Sequence, residues 1–418
     1  MTPTRIGVRC DAGAAIGTGH ATRCLALAEE LRRRDVEVEF FVDPSEVPWL
    51  AERFASAGHR PHPPPSTPDD MLAATAAHRL DGWVLDSYTL DPTCAVVLRD
   101  RGCAVLAIVD GDTRGQLADI HLDQNLGAET RTPDHHGGDS PSAEAAARFE
   151  TDDRPPNTVT TPHARPGPDG LPNSANTTAP LRLEPGDPPP NAPTTTPNGL
   201  SPHTNTTAPL RLAGLRYVLL SDAILDRRPT APRFRHLSQR PSILGVFGGT
   251  DAYGAAPVVA ALLAETGVPA DIVMVAANES RRRELERVLP AAGQTIAVID
   301  PTSELPRLIA RSDLVISAAG TSTWEILCLG AAAALVRVAD NQRLGYNRVI
   351  DAGLAVGLGG LDELATVGTR DTLRALLTSP NRLDRLRATA WAAVDGDGRG
   401  RVADALLSTV AARKGARS

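Results

Sequence analysis

The sequence predicts an α/β protein with two doubly wound parallel sheets in tandem. Three observations carry this. Short apolar runs alternate with helical periodicity in the first third of the chain, the same theme returns in the last part, and a segment of quite different composition separates them. Strands separated by helices of ordinary length read as βαβ units, which build parallel sheets. At 418 residues the chain also exceeds the size at which a single core stops growing, so two domains are the expectation.

In chain order, the first half offers strands at "IGVRC" (6–10), "VEVEFFV" (36–42), "GWVLDS" (82–87), "AVLAIVD" (104–110) and "IHLDQN" (120–125). Between the first two, Cys24, Leu27, Ala28 and Leu31 recur at i, i+3, i+4 and i+7, one face of an amphipathic helix. From about 127 to 213 Pro, Thr, Asn, Gly and Ser dominate, and "NTTAPLRL" occurs at 176–183 and again at 205–212. So little apolar surface cannot offset the entropy of ordering, which predicts a disordered insertion with a duplicated stretch. The second half resumes with "SILGVFGG" (242–249), "IVMVA" (272–276), "TIAVI" (295–299), "LVISAAG" (314–320) and "AALVRV" (333–338). A final helix follows, with basic residues near its end where they suit the helix dipole, and it is placed to pack across onto the first half.

Bulk properties narrow the function classes. With 43 Lys and Arg against 50 Asp and Glu the net charge is -7, so no basic surface invites nucleic acid, and a small-molecule ligand is expected. The only lysine is Lys414, in the tail, which removes a Walker A lysine. Five scattered cysteines form no CxxC pair and no zinc spacing, and read as buried thiols. No run approaches the roughly 20 apolar residues of a membrane span, and the N-terminus lacks a signal-peptide pattern. A cytoplasmic protein without membrane insertion is the expectation.

The chemistry concentrates in turns that follow strands. In "RCDAGAAIGTGHATRC", Gly17, Gly19, His20 and Arg23 open the first helix, with Asp11 at the preceding strand end. A dinucleotide fingerprint fits poorly, because Thr22 stands where the third glycine belongs and the strand-to-helix turn is long. Glycines instead let the backbone pass close to a ligand, and a helix N-terminus favours an anion. His20, where the helix dipole opposes a positive charge, suits a general base; a histidine that merely caps the turn is the other reading. A second such turn, "VFGGTD", carries Gly248, Gly249 and Thr250. A third, "SAAGTSTWE", carries Gly320, Thr321, Ser322 and Glu325. Backbone N–H groups and hydroxyls there suit a diphosphate and the carboxylate suits ribose hydroxyls, whereas a capping box around Glu325 is the structural alternative. Asn341 and Gln342 in "VADNQ" lie after a strand, where open α/β sheets bind ligands. In the first half "VLDSYTLD" contributes Asp86, Ser87 and Tyr88, and "IVDGD" contributes Asp110 and Asp112. No carboxylate pair stands beside histidines at ligand spacing, so neither a metal nor another cofactor is expected.

Taken in order, "RCDAGAAIGTGHATRCLALAEEL", "VLDSYTLD", "GVFGGTD", "SAAGTSTWEILCLG" and "VADNQ" resemble the UDP-2,4-diacetamido-2,4,6-trideoxy-β-L-altropyranose hydrolases of pseudaminic acid biosynthesis and the related spore-coat polysaccharide proteins. The resemblance spans nearly all of 1–126 and 214–360. It implies a GT-B-like fold: a Rossmann-like domain over 1–126 with the catalytic histidine, a Rossmann-like UDP-binding domain over 214–395, and a C-terminal helix and tail over 396–418; the disordered insertion 127–213 between them is foreign to the compact family pattern. His20 and Tyr88 match the family's catalytic histidine and active-site tyrosine. Gly320 to Glu325, Asn341 and Gln342 match nucleotide- and sugar-binding positions. The pattern departs from the family at Leu219-Leu220, where Ser221-Asp222 replaces a Gly-Pro step.

The resulting expectation is a metal-independent hydrolase that releases UDP and a free (di)acetamido deoxy sugar for nonulosonic acid or surface-polysaccharide biosynthesis. His20 and Tyr88 are its catalytic candidates, and its ligand is bound by Asp11, Gly17, Gly19, Arg23, Gly248, Gly249, Thr250, Gly320, Thr321, Ser322, Glu325, Asn341 and Gln342. A glycosyltransferase using a UDP-sugar donor and a non-catalytic sugar-nucleotide-binding protein are the alternatives.

Overall fold

The computed structural model describes residues 3–13, 16–130, 208–234 and 240–416. Most of the Pro/Thr/Asn-rich segment, including the first "NTTAPLRL" copy, lies outside the described residues, and so does the expectation that it is disordered. Two six-stranded parallel sheets form the framework. The first holds β1 (Arg5–Cys10), β2 (Glu37–Phe41), β3 (Gly82–Asp86), β4 (Ala104–Ile108), β5 (Ile120–Asp123) and β6 (Leu210–Ala213), in the order β2-β1-β3-β4-β5-β6. The second holds β7 (Ser242–Val246), β8 (Ala270–Val275), β9 (Gln294–Ile299), β10 (Leu314–Ala318), β11 (Ala333–Arg337) and β12 (Val356–Gly360), in the order β12-β11-β10-β7-β8-β9.

Each sheet has core on both faces, as parallel sheets require. In the first sheet, successive β2 residues Phe40 and Phe41 point to opposite faces. Phe40 joins the core beneath the Gly19–Arg33 helix, and Phe41 joins Trp83, Met71 and Leu98 on the other side. The helix Gly398–Gly415 closes the first face: Val402, Ala403, Leu406 and Val410 are buried with Ile6, Leu27 and Leu31. Its basic last turn is used against this sheet's edge residues, with Lys414 Nζ 2.9 Å from Asp81 and Arg413 paired with Asp119. The C-terminus therefore completes the N-terminal half. All five cysteines are buried, and none forms a disulfide.

Two strands differ from the sequence expectation. Leu210–Ala213 was assigned to the insertion but forms β6, with Ile120 opposite Leu210 and Asp123 opposite Ala213. The alternating "LRL" at the end of the second repeat copy is enough once β5 supplies a template, whatever the composition before it. Val356–Gly360, "VGLGG", is a strand that its glycines conceal; it borrows its conformation from β11.

At Ser221-Asp222 the chain is tied by charge. Asp222 accepts from Arg399 at 2.5 Å and pairs with Arg33, while its own N–H donates to Glu29 at 2.7 Å. This joins the first helix, the inter-sheet connection and the C-terminal helix.

Candidate functional site

In a doubly wound sheet the ligand crevice lies at the carboxyl ends of the strands where chain order reverses. The reversal falls between β1 and β3 in the first sheet and between β7 and β10 in the second. The Gly17–His20 turn follows β1, and the Gly248–Asp251 and Gly320–Ser322 turns follow β7 and β10. All three meet. A Cβ placed on Gly19 would lie 2.9 Å from Thr321 Oγ1, and one on Gly249 would lie 2.5 Å from the Trp49 ring and 3.0 Å from Thr18 Oγ1. A side chain at 19 would displace Thr321, and one at 249 would displace the Trp49 ring, so the two halves approach closely at both glycines.

On the first helix His20, Arg23 and Cys24 occur at i, i+3 and i+4, so they share a face. That face meets Asp86, the last residue of β3, which is wholly buried. His20 Nδ1 lies 2.6 Å from Asp86 Oδ1, the Arg23 guanidinium donates to both Asp86 oxygens at 2.6 Å each, and Cys24 Sγ donates to Oδ2 at 3.6 Å. Arg23 also grips Asp110 through two bonds of 3.0 Å. Burial opposes charge on Asp86 and Asp110, but Arg23 overcomes it and holds both carboxyls well below the usual range, with His20 adding to the effect. The two carboxylates in turn hold the Arg23 guanidinium charged against its own burial.

An ionised Asp86 can only accept, so His20 Nδ1 carries the hydrogen, and in the neutral ring the lone pair is on Nε2. The 3.2 Å approach of an Arg23 nitrogen to Nδ1 is then a contact between two donors and not a bond. The helix dipole invoked from the sequence is accordingly secondary: a buried carboxylate at hydrogen-bond distance sets the histidine's orientation. A turn-capping role fails on geometry, because the N-cap residue is Thr18 and no side chain caps this helix.

Tyr88 stands edge-on to His20, with ring centroids 4.6 Å apart, and its hydroxyl donates to Asp110 at 2.8 Å. Burial of the hydroxyl and the Asp110 carboxylate both raise its pKa, so it keeps its proton. The ring is otherwise exposed, with the Arg114 guanidinium 4.8 Å above it. Asp11 does not face the cleft freely: Arg9 donates to one oxygen at 2.8 Å and the Tyr88 backbone N–H to the other at 2.9 Å. Asp11 and Arg23, both expected to touch ligand, are buried, the first bonded to Tyr88 N and the second to Asp86 and Asp110.

Across the cleft, Glu325 lies on the first turn of the helix Ser322–Cys328. It makes no capping box, since this helix has no side-chain cap. Its surroundings include Thr22, Arg53, Gln124, Ser221, Thr321 and Trp324. Burial raises its pKa and Arg53 works against that rise. Thr323 Oγ1 and Trp49 Nε1 are buried beside this region without a hydrogen-bond partner among the described residues. Gln342 Oε1 accepts from Val338 N at 3.0 Å, leaving its amide nitrogen beside Gly320, while Asn341 is exposed. The turn after β7 differs in kind. Asp251, at φ 41°, caps its own helix by accepting from Ala255 N at 2.8 Å and Ala256 N at 3.2 Å. That carboxylate already occupies the helix N-terminus after Gly248, Gly249 and Thr250.

The sequence marks Asp86 and Asp110 at strand ends without giving them a role at His20, and it does not mark Asn125. The visible signal was weak, an Asp or Asn at each strand end; Asn125 Nδ2 donates to Asp110 at 3.2 Å and Asp123 at 2.9 Å.

No protein-family model matches this chain, and no curated protein does. Solved structures do match. MurG of Acinetobacter baumannii is 14% identical, with 97% of this chain and 100% of that chain covered at a TM-score of 0.60. The chain has a GT-B-like fold. UDP-GlcNAc 2-epimerase from Neisseria meningitidis, solved bound to UDP-GlcNAc, is 10% identical over 97% of this chain and 100% of that one at 0.53. The kitacinnamycin glycotransferase is 16% identical over 98% and 100% at the same score. At these identities the likeness concerns the fold. No helix among the described residues is long and apolar enough to cross a membrane.

Proposed function

We propose that this GT-B-like protein is an enzyme that binds a UDP-linked amino sugar in the cleft and hydrolyses it to UDP and the free sugar. The observation that carries the reading is the His20–Asp86 pair, buried at the strand reversal of the first sheet and directed by a 2.6 Å bond. Asp86 holds the Nδ1–H tautomer, which leaves Nε2 to take a proton from water as that water attacks the anomeric carbon. The glycosidic C–O bond breaks, the electron pair leaves with UDP, and the proton rests on His20. Binding of UDP-GlcNAc by the structurally similar Neisseria epimerase supports the choice of sugar nucleotide.

The nucleotide is assigned to the second half. The Thr321 and Ser322 backbone N–H groups face the pyrophosphate, the Thr323 hydroxyl is a further donor, Trp49 N–H adds one from the first half, and Glu325 accepts from the ribose hydroxyls. Asn341 and Gln342 serve the sugar. In the first half Tyr88 walls His20, and Gly17 and Gly19 admit the substrate close to the backbone. Gly248, Gly249 and Thr250 act as the opposite wall, because Asp251 already caps their helix.

A second reading is transfer of the sugar to an acceptor hydroxyl, favoured by the fold shared with the kitacinnamycin glycotransferase. Incubating the purified protein with a panel of UDP-amino sugars, and following UDP by NMR without acceptor, separates the readings. UDP and free sugar together establish hydrolysis. Release that requires an added acceptor establishes transfer, and binding without turnover establishes a sugar-nucleotide sensor.

A further inference from the structure

Outside the cleft, three side chains from distant parts of the chain come together on the edge of the first sheet. Glu39 lies on β2, His62 in the segment running beside it, and His78 at the end of the helix Pro68–His78. Their ligand atoms all lie within 4.8 Å of one another, and each residue is half-exposed. We propose that Glu39, His62 and His78 form a binding site for a divalent metal ion of borderline softness, Zn²⁺ being the probe of choice, with water in the fourth position.

The donor set is the first argument. Two imidazoles and one carboxylate suit Zn²⁺, and tetrahedral bonds of about 2.0–2.2 Å place ligand atoms roughly 3.3 Å apart. His62 Nε2 and Glu39 Oε2 already stand at 3.1 Å. The His78 imidazole, its centroid 4.4 Å from that of His62, needs only a small swing inward. Its ring nitrogens have no hydrogen-bond partner among the described residues, so no hydrogen bond has to break for that swing.

Preorganisation is the second. Both imidazoles pack against one ring, Phe41, with centroids 5.3 and 5.2 Å away. Phe41 is itself fixed against Trp83, and it follows Glu39 by two residues, on the same face of β2. His62 is tied to the strand by two backbone bonds, His62 N to Phe40 O at 2.8 Å and Val42 N to His62 O at 3.1 Å. Holding the ligands in place before the ion arrives lowers the ordering cost of binding. The ion would clip the edge strand, the His62 segment and the end of the helix together. Since β2 is separated from the Asp86-bearing β3 by β1, the clip is structural and independent of the cleft chemistry.

Tag-free protein stripped with EDTA, then titrated with Zn²⁺ alone by calorimetry and thermal shift, tests the site. One equivalent should bind with a rise in melting temperature, and Co²⁺ in its place should show tetrahedral absorption bands. His62→Gln and His78→Gln should each weaken binding by at least about tenfold, and Glu39→Gln, which keeps the packing, should also weaken it. Absence of one-equivalent binding in the wild type would overturn the proposal. So would binding that survives unchanged in the His62→Gln/His78→Gln double variant, with circular dichroism showing both proteins folded.

Discussion

His20 Nδ1 and Asp86 Oδ1 lie 2.6 Å apart although 66 residues separate them, and Arg23 bonds the same carboxylate from one turn along the helix. The aspartate thus does two things at once: it fixes the imidazole and it neutralises a buried guanidinium. Asp86→Asn separates these roles only partly. Turnover should fall on the order of 10²–10⁴-fold, because an amide at this place no longer enforces the productive tautomer. Stability should fall by about 3 kcal/mol, since Arg23 loses one of its two carboxylates. Denaturation midpoints and kcat measured on the same preparation check both, and a variant as active as wild type would show that the pair is merely structural.

Glu325→Ala should weaken UDP binding by roughly 1–3 kcal/mol, the cost of leaving hydroxyl partners unpaired. Burial raises the Glu325 pKa, so on acidification this carboxylate takes up its proton before an ordinary glutamate does. Wild-type UDP affinity should therefore fall with decreasing pH earlier than solvent-exposed carboxylates titrate, and the variant should lack that step. Calorimetry across pH reads both. A lowered melting temperature with unchanged affinity would assign Glu325 to the fold.

Joining Thr130 to Ala208 by a short Gly/Ser linker should leave folding and activity nearly intact. The two ends already meet: Leu210 N donates to Asp119 O at 2.8 Å, and the Arg211 side chain bonds Ala128 O. The deletion must stop short of β6, which belongs to the sheet. Loss of soluble protein or of turnover in this variant would show that residues 131–207 contribute to the fold.

His59 provides a pH test of stability away from the cleft. It is buried edge-on against Phe40, at 4.7 Å between centroids, and burial lowers its pKa to about 4, with Arg32 nearby acting in the same direction. The unfolded chain, where His59 titrates near 6.5, binds the proton more readily, so stability is lost as pH falls from about 6.5 to about 4. The loss approaches about 3–4 kcal/mol once the pH is well below 4. His59→Gln removes this titration, and its melting temperature should fall less over the same interval than that of wild type. Parallel curves would contradict the assignment.

Much of this architecture was legible in the sequence because parallel strands buried on both faces are apolar runs, and β1, β3, β4, β7 and β10 are such runs. What stayed hidden depends on neighbours. β6 and β12 lack intrinsic strand character and form on a template. The i, i+3, i+4 spacing of His20, Arg23 and Cys24 was readable, but that all three turn toward Asp86 follows from the adjacency of β1 and β3, which only the sheet order reveals. The fit of Gly19 against Thr321, some 300 residues away, likewise needs both halves in place. Asp251 directly follows the glycine-rich stretch, and its cap depends on a positive φ that its residue type tolerates but does not announce. Glu39, His62 and His78 carry no motif spacing at all; β2 and the end of a helix bring them together.

The most direct test of the central claim is the rate of UDP release from the best UDP-amino sugar, without acceptor, by wild type and by His20→Asn. The variant keeps a polar side chain at the helix start and removes the base. The account predicts a fall in turnover of about 10²-fold or more, with UDP affinity within a few-fold of wild type. A His20→Asn protein that retains most of its turnover would contradict the mechanism.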